Sequence, residues 1–357
     1  MFSRTKSVLQ SHGMWSQGPR IGLALGGGGV IGGMYEVGAL TALEEKLAGS
    51  GKGFDIYVGC SSGSVVAALM ANGIQASDLY RILDQDIDDP LNFARGSIFT
   101  PHSFRQATRR FGQFFWAFLR SAAMGLRGSI PDLLLRAERA LPAGFFVLDE
   151  LEDFLRRGFA SRGLSNSFHQ APRRLLIPAI DLDRAQRVVF GDGELCEVPI
   201  SHAVAASSAI PGVFEPYRIG DRDYVDGGVG FSGHADLAAE AGAEIVFVVH
   251  PMVPSQIDGG ATFRSRGLYA ILEQASRIDG HNLHQLGLDL LSVKYPDTSF
   301  FLLEPPCTGS QITGPLMSFE AGRGALRYGY SSTHEWLEGG GAQLLRSFMH
   351  PARAITR

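Results

Sequence analysis

The pentapeptide at residues 59–63, Gly-Cys-Ser-Ser-Gly, places the Ser61 hydroxyl between two glycines. This spacing is typical of a nucleophile elbow, a sharp turn between a strand and a helix that lifts the central hydroxyl clear of the backbone. Side chains in place of Gly59 or Gly63 would collide with the strand and the helix. The amides of the following helix would stabilise an alkoxide on Ser61. The pattern also arises by chance in glycine-rich chains, and 45 of these 357 residues are Gly.

A glycine run upstream, Gly26–Gly29 followed by Gly32, has three interpretations. The spacing Gly-x-Gly-x-x-Gly matches a dinucleotide-binding loop, but that loop requires an acidic residue at the end of the second strand. Asp55 instead stands at the beginning of the expected second strand, so the ribose partner is missing. The run can also be a tight turn, or an oxyanion hole whose bare amides bind a negatively charged acyl oxygen. The missing carboxylate favours the oxyanion hole, with candidate donors at Gly27, Gly28 and Gly29.

A carboxylate follows another strand-like segment, in Asp226-Gly227-Gly228 after Arg222–Val225. Asp226 is therefore a candidate catalytic carboxylate, 165 positions after Ser61 in the chain. Asp-Gly is also one of the commonest turn dipeptides, so an ordinary turn is the alternative. Upstream, residues 205–211 are a run of very small residues stopped by proline. Such a run suits a helix packed against a crowded active-site turn, or simply a close-packed core helix.

Apolar periodicity predicts the elements that position these residues. Ile21–Leu25 is a strand that ends at the glycine run, and apolar positions from Met34 onward recur at helical spacing. Phe54–Val58 and residues 64–72 repeat the order strand, turn, helix, which favours an α/β domain with a parallel sheet. Further strands are expected at Leu175–Ala179, Arg187–Phe190, Ile245–Val249 and Phe300–Leu303. Residues 263–291 are expected to form one or two outer helices broken near Gly280.

Between residues 99 and 141 aromatic side chains alternate with arginines, which predicts an inserted helical cap. Its aromatic side chains would line an acyl-chain groove or lie at a membrane surface, while its arginines meet lipid phosphates. The alternative is a helix core with a solvated face. The candidate substrate-binding residues are Phe114, Phe115, Trp116 and Phe118. We expect a lead-in at 1–19, a catalytic domain at 20–330 that contains the cap, and a C-terminal helix and tail at 331–357.

Composition disfavours several classes of function. The formal net charge of −4 supplies no global electrostatic reason to bind nucleic acid. The three cysteines have no spacing for a disulfide framework or a zinc site, so no metal is expected. Neither a secretory signal nor an apolar run of about 18 residues is evident. We therefore expect a cytoplasmic protein that can also contact a membrane surface peripherally.

In chain order, these segments resemble the patatin-like phospholipase family. The resemblance rests on Gly27-Gly28-Gly29-x-x-Gly32, the elbow at 59–63, Ala206-Ser207-Ser208-Ala209-Ile210-Pro211, and Asp226-Gly227-Gly228. It implies a three-layer α/β/α fold with a mainly parallel central sheet. It also implies a Ser61-Asp226 dyad without histidine, an oxyanion hole at the glycine loop, and hydrolysis of phospholipid or lysophospholipid esters without a cofactor. A general esterase or neutral-lipid lipase, or a lipid-binding member without turnover, remain alternatives.

Two segments depart from the family pattern. Ile31 stands where the family usually has Arg or Lys, so a cation that would meet an anionic headgroup is absent. After Val229 the chain continues Gly-Phe-Ser-Gly-His rather than with an Asn-x-Pro-like sequence, so the loop that positions Asp226 is expected to be held differently.

The base in such a dyad needs an altered pKa. An ordinary aspartate, with a pKa near 3.9, is a poor base at neutral pH. We therefore expect burial to raise the pKa of Asp226. His250, which follows Ile245–Val249, offers an alternative, because Ser61, Asp226 and His250 stand in the chain order of an α/β-hydrolase triad.

Overall fold

The structure is a computed structural model that describes residues 19–48, 53–92, 143–231, 233–256, 262–305 and 316–341, together with residues 112, 116, 120, 312 and 343. Most of the expected cap lies outside the described residues. The described part forms a mixed α/β domain around one central sheet.

The sheet of the described chain has eight strands. They are β1 (Ile21–Leu25), β2 (Ile56–Gly59), β3 (Arg174–Asp181), β4 (Gln186–Phe190), β5 (Tyr217–Ile219), β6 (Arg222–Asp226), β7 (Ile245–Val249) and β8 (Ser299–Leu303). Their order is β5-β6-β3-β2-β1-β7-β8, and β4 pairs with β3. The strands from β3 to β8 in this order run parallel, while β4, β5 and β6 are joined by antiparallel pairing. The carboxyl ends of β1, β2 and β7 therefore meet at one edge, where catalytic groups of open α/β sheets usually lie.

Helices cover both faces of this sheet. They are α1 (Gly29–Ala48), α2 (Ser62–Ala71), α3 (Ala76–Asp84), α4 (Asp149–Arg162), α5 (Ile200–Ser207), α6 (Ala235–Glu240), α7 (Leu268–Lys294) and α8 (Phe319–Trp336). One apolar core joins the sheet to α1–α5 and α8, and a second joins its other face to α6 and α7. The result is a three-layer α/β/α arrangement, as the family resemblance implies.

Several predicted elements agree with the structure and two need correction. Ile21–Leu25 and Ile245–Val249 are strands with the predicted bounds. The first helix begins at Gly29, five residues before the apolar periodicity that starts at Met34, because the adjacent Val30 and Ile31 between glycines are too short a pattern to indicate a helix. The expected break near Gly280 is wrong, since α7 is continuous there. One interior glycine disfavours a helix by only about 1 kcal/mol, which is too little to interrupt a helix of this length. The predicted boundary at residue 330 falls inside α8.

The outer face of α7 is unusually apolar. Its exposed large apolar side chains are Leu268, Ile271, Leu272, Ile278, Leu283, Leu286, Leu290 and Val293. Within the part of the chain that the structure describes, none of the helices combines the length and apolar character needed to span a bilayer.

Candidate active site

The turn between β2 and α2 holds Ser61 in a strained conformation. Its backbone has φ 53° and ψ −131°, a region that non-glycine residues rarely adopt. The Ser61 amide donates a hydrogen bond to Ser207 Oγ (3.0 Å), and that hydroxyl donates in turn to the Pro178 carbonyl (2.7 Å). Strand β3 and the end of α5 therefore fix the turn from outside.

The two glycines of this turn are required by close packing. A Cβ at Gly59 would lie 2.5 Å from the Gly63 carbonyl oxygen, and one at Gly63 would lie 2.8 Å from the Leu25 carbonyl oxygen. Either contact is far shorter than van der Waals distance. The collisions anticipated for an elbow are thus present on both sides of Ser61.

Asp226 reaches this turn as the last residue of β6. Its Oδ1 accepts a hydrogen bond from the Gly228 amide (2.7 Å) and lies 3.8 Å from the Cys60 thiol. Burial raises the pKa of Asp226 to about 6, although hydrogen bonds from Gly228, Ser61 and Cys60 act in the opposite direction. The fold therefore brings the Ser61 hydroxyl into hydrogen-bond contact with the Asp226 carboxyl.

Cys60, next to the serine, is not a competing nucleophile. Its thiol is completely buried, and burial raises its pKa well above the ordinary value, with the nearby Asp226 and Glu36 adding to the shift. A neutral thiol is a poor nucleophile. Only Ser61 of the two presents a reactive group suited to attack.

The glycine loop lies directly against the elbow. Gly27, Gly28 and Gly29 all have positive φ, at 75°, 123° and 64°, which side chains disfavour. A Cβ at Gly27 would lie 2.4 Å from the Cys60 carbonyl oxygen. The Gly27 amide is engaged, because it donates to Glu36 Oε1 at 2.7 Å. No hydrogen bond joins the Gly28 or Gly29 amide to any described residue, so these two of the three candidate donors are available.

Glu36 is a component of the site that the sequence pattern did not reveal. Its side chain is completely buried within α1, and its second carboxyl oxygen has no partner among the described residues. Burial raises the pKa of Glu36 to about 8, while the hydrogen bond from Gly27 acts in the opposite direction. At neutral pH the carboxyl is therefore mostly protonated, and it holds the glycine loop without adding a negative charge beside it.

A largely apolar pocket opens beside Ser61. It has a volume of about 550 Å³, including space open to solvent. Its lining residues are Gly29, Val30, Gly33, Ser61, Ser62, Val65, Leu148, Leu151, Ser208, Ile210, Phe214 and Met317. The space is therefore suited to a hydrocarbon chain whose reactive end lies at Ser61.

Comparison with known proteins identifies the family. The model of the family described as patatin-like phospholipase matches residues 23–238, which is more than half of the chain. This chain belongs to the patatin-like phospholipase family. The matched residues include the glycine loop, the elbow and Asp226, so the resemblance stated from the sequence and its patatin-like fold are confirmed.

Solved structures similar to this patatin-like chain include VipD and ExoU. VipD from Legionella pneumophila aligns with a TM-score of 0.37 and 14% identity, over 91% of this chain and 67% of VipD. The type III effector ExoU aligns with a TM-score of 0.39 and 17% identity, over 90% of this chain and 53% of ExoU. Full-length ExoU in complex with SpcU, from Pseudomonas aeruginosa, aligns with a TM-score of 0.33 and 16% identity, over 90% of this chain and 52% of the ExoU chain. The patatin-like chain thus spans two thirds of VipD and about half of ExoU. No curated protein matches it significantly.

The predicted substrate-binding residues of the cap are mostly not described. Phe114, Phe115 and Phe118 lie outside the described residues. Trp116 is described as helical, and its side chain is 69% exposed. It is not among the residues that line the pocket beside Ser61, so the role of these four aromatic residues stays a prediction.

The histidine alternative finds no support in this patatin-like site. The His250 ring stacks on His284 with 4.3 Å between ring centroids. Burial lowers the pKa of His250 well below the ordinary value, and His284 and His281 add to the shift. The groups that act on the Asp226 carboxyl are Gly228, Ser61 and Cys60. His250 instead belongs to the packing between β7 and α7.

Burial of neutral histidines predicts a loss of stability in acid. His284 is completely buried, and burial together with His281 lowers its pKa to about 4. Between pH 6.5 and about 4 an unfolded histidine, with a pKa near 6.5, is protonated, while the folded His284 stays neutral. His284 therefore favours unfolding increasingly as pH falls through this window. Relative to His284→Gln, the wild type should lose up to about 1.4 kcal/mol of unfolding free energy per pH unit in this window.

Urea unfolding at a series of pH values measures this difference. His169→Gln is the matched control, because His169 lies at the surface beside Glu197 with 58% of its side chain exposed. A wild-type curve parallel to that of His284→Gln from pH 7 to 4 would contradict the assignment.

Proposed function

We propose that the protein is a serine acyl hydrolase that cleaves carboxylic esters of phospholipids or lysophospholipids through an acyl-enzyme on Ser61. Family membership supports a lipid hydrolase. The observation that carries the finer assignment is the hydrogen bond of the strained Ser61 to the buried Asp226 at an apolar pocket, beside the Gly28 and Gly29 amides, which have no partner among the described residues.

In the first half-reaction Ser61 Oγ bonds to the ester carbonyl carbon while its proton passes to the Asp226 carboxylate. The carbonyl oxygen becomes an oxyanion that accepts hydrogen bonds from the Gly28 and Gly29 amides. Its collapse breaks the bond to the alcohol, which leaves with the proton held by Asp226. Water then attacks the acyl-enzyme, Asp226 takes the proton of that water and returns it to Ser61, and the fatty acid leaves.

Two features of the protein lower the barrier to these steps. The pKa of about 6 makes Asp226 a stronger base than an ordinary aspartate while leaving it mostly ionised at neutral pH. Gly29 is the first residue of α1, so the positive end of that helix faces the oxyanion. A single oxyanion donor typically contributes about 3–4 kcal/mol to transition-state stabilisation.

Ile31 favours a second candidate, a neutral-lipid lipase or general esterase. Its side chain is buried at 1% exposure, and its amide donates to the Leu316 carbonyl oxygen. No cation therefore stands at this position of the loop to bind a phosphate. The pocket itself, with its apolar lining, fits the acyl chain of either kind of ester.

Fatty-acid release tests the proposal and separates the candidates. The purified protein is incubated with phosphatidylcholine vesicles, lysophosphatidylcholine micelles and a triacylglycerol emulsion, and free fatty acid is measured by mass spectrometry. We expect release from the two phospholipid substrates and none with Ser61→Ala. Release from triacylglycerol alone would replace the proposal with the neutral-lipid lipase.

Labelling with a fluorophosphonate distinguishes an enzyme from a lipid-binding member without turnover. The wild type should be labelled and Ser61→Ala should not. An unlabelled wild-type protein that still binds vesicles would favour the binding protein and contradict the hydrolase.

A further inference from the structure

The side of α7 that faces solvent carries an apolar stripe along its whole length. The most deeply buried residues of this helix are Arg277, His284 and Leu291, which recur every seven positions on one side. Successive residues of an α-helix are about 100° apart, so Leu268 and Val293 lie on the side directly opposite, with 25 residues or about 37 Å between them. Exposed apolar side chains follow that line from end to end. The stripe is therefore long and narrow, like the contact face of a second helix.

The stripe has a two-fold pattern. Its order of apolar and polar positions is almost the same when it is read from either end, about a midpoint between Gly280 and His281. Leu272 is the exception, because its counterpart is the polar Asp289. The matched positions, all exposed, are Leu268 with Val293, Ile271 with Leu290, Ala275 with Leu286, Ile278 with Leu283, and Asp279 with Asn282.

A helix face with this symmetry is complementary to itself. Two chains related by a two-fold axis present the same patch to each other, so residue i of one contacts residue j of the other and the reverse. With the axis at the midpoint, two copies of α7 run antiparallel and the matched positions meet between chains. Asn282 of each copy then donates from its amide group to the Asp279 carboxylate of the other. A polar pair among apolar contacts fixes the register of paired helices.

A lipid surface fits the stripe less well than a second chain does. Helices that lie in a membrane interface are rich in Lys and Arg beside their apolar face. In α7 the basic residues are Arg277 and Lys294, against the acidic Glu273, Asp279 and Asp289. Arg277 is buried and paired with Glu273, so it is not presented to a headgroup. Asp279 lies in the middle of the stripe, where contact with acyl chains would bury its charge.

We propose that the outer face of α7 is the interface of a two-fold homodimer, in which this helix packs antiparallel against α7 of a second copy. The apolar positions pack against each other across the axis, and the two Asp279-Asn282 pairs set the register at its centre. The inference uses no residue of the proposed active site, so it stands or falls separately from the proposed hydrolase.

Sedimentation equilibrium of the purified protein tests the dimer. At concentrations up to about 100 μM the wild type should approach twice the mass of one chain. Leu286→Asp should raise the dissociation constant at least about 100-fold, because each substitution in a two-fold interface occurs twice. Leu286 is 67% exposed in the single chain, so the variant should keep the circular dichroism spectrum and thermal midpoint of the wild type.

Leu182→Asp is the matched control, because Leu182 is a similarly exposed leucine that lies away from α7, in the turn after β3. It should dimerise like the wild type. A wild type that is monomeric at every concentration, or a dimer that Leu286→Asp leaves unchanged, would overturn the inference. A monomer that binds lipid vesicles through Leu286 would also overturn it and assign the stripe to a membrane.

Engineered disulfides test the antiparallel register. Positions 275 and 286 are 11 residues or about 16 Å apart along one helix, whereas the Cα atoms of a disulfide lie within about 7 Å. In the proposed dimer position 275 of one chain adjoins position 286 of the other, while equivalent positions are about 16 Å apart. Mild oxidation should therefore link Ala275→Cys/Leu286→Cys into a covalent dimer on non-reducing gels.

Ala275→Cys and Leu286→Cys alone are the controls, and the wild type gives the background from its three native cysteines. Neither single variant should exceed that background. A linked dimer from a single variant, which a parallel pairing would give, or no linked dimer from the double variant, would overturn the antiparallel interface.

Discussion

Asp226→Asn is expected to lower kcat/KM for ester hydrolysis by about 10²–10⁴-fold, the usual contribution of a general base. Asparagine has the same shape, and its oxygen can still accept the hydrogen bond from the Gly228 amide. What it lacks is the ability to take the Ser61 proton. Because the fold remains, the loss should appear mainly in kcat with a small change in thermal stability.

The pH dependence of kcat/KM in the wild type tests the same role of Asp226 as general base. Burial raises the pKa of Asp226 to about 6, and only the ionised form accepts a proton. We therefore expect kcat/KM to rise about tenfold per pH unit below 6 and to level off above it. Asp223→Asn is the matched control, since Asp223 lies on the same strand and pairs with Arg218 at the surface. Wild-type turnover by Asp226→Asn would show that the base is elsewhere.

Glu36 should set the alkaline limit of activity. Its pKa of about 8 means that it loses its proton above that pH and introduces a buried negative charge beside the glycine loop. That charge opposes an oxyanion held by the Gly28 and Gly29 amides, so kcat/KM should fall as pH rises through 8. Glu36→Gln can keep the hydrogen bond to Gly27 but cannot ionise, so it should remove the alkaline decline.

Glu36→Leu tests the positioning role itself. The Gly27 amide would lose its partner, and an unsatisfied buried donor typically costs about 1–3 kcal/mol. If the glycine loop shifts to re-pair this amide, the oxyanion donors move and the loss appears in the activation barrier. Activity should then fall about 10–100-fold, since 1.36 kcal/mol of barrier is tenfold in rate. Glu45→Gln, on the exposed face of the same helix, is the control. An alkaline decline that persists unchanged in Glu36→Gln would contradict the role of Glu36.

Much of the architecture follows from local sequence patterns. Ile21–Leu25 and Ile245–Val249 are continuous apolar runs because both faces of their sheet are covered, so their bounds can be read directly. The elbow could be predicted because Gly59 is crowded by Gly63 and Ala67 within its own strand-turn-helix unit, whereas the contact that requires Gly63 comes from Leu25 on the neighbouring strand β1. The first turn of α1 is harder to predict, because its residues 29–33 are three glycines with only Val30 and Ile31 between them.

The contacts that complete the site are not local, and the sequence alone could not supply them. Asp226 meets Ser61 only because β6 pairs with the second half of β3. The Ser207 hydroxyl supports the elbow across 146 positions. Glu36 offered one signal, a carboxyl in the otherwise uncharged stretch 29–43 of α1. Its partner, the Gly27 amide, could be found only from coordinates, and that contact removes Gly27 from the three predicted oxyanion donors.

Trapping the acyl-enzyme tests the central claim most directly. The wild type is mixed with an excess of lysophosphatidylcholine, quenched in acid within milliseconds to seconds, digested, and analysed by peptide mass spectrometry. The account predicts the mass of one acyl group on Ser61 and its absence in Ser61→Ala. Acyl transfer to another residue such as Cys196, or undiminished fatty-acid release by Ser61→Ala, would contradict it.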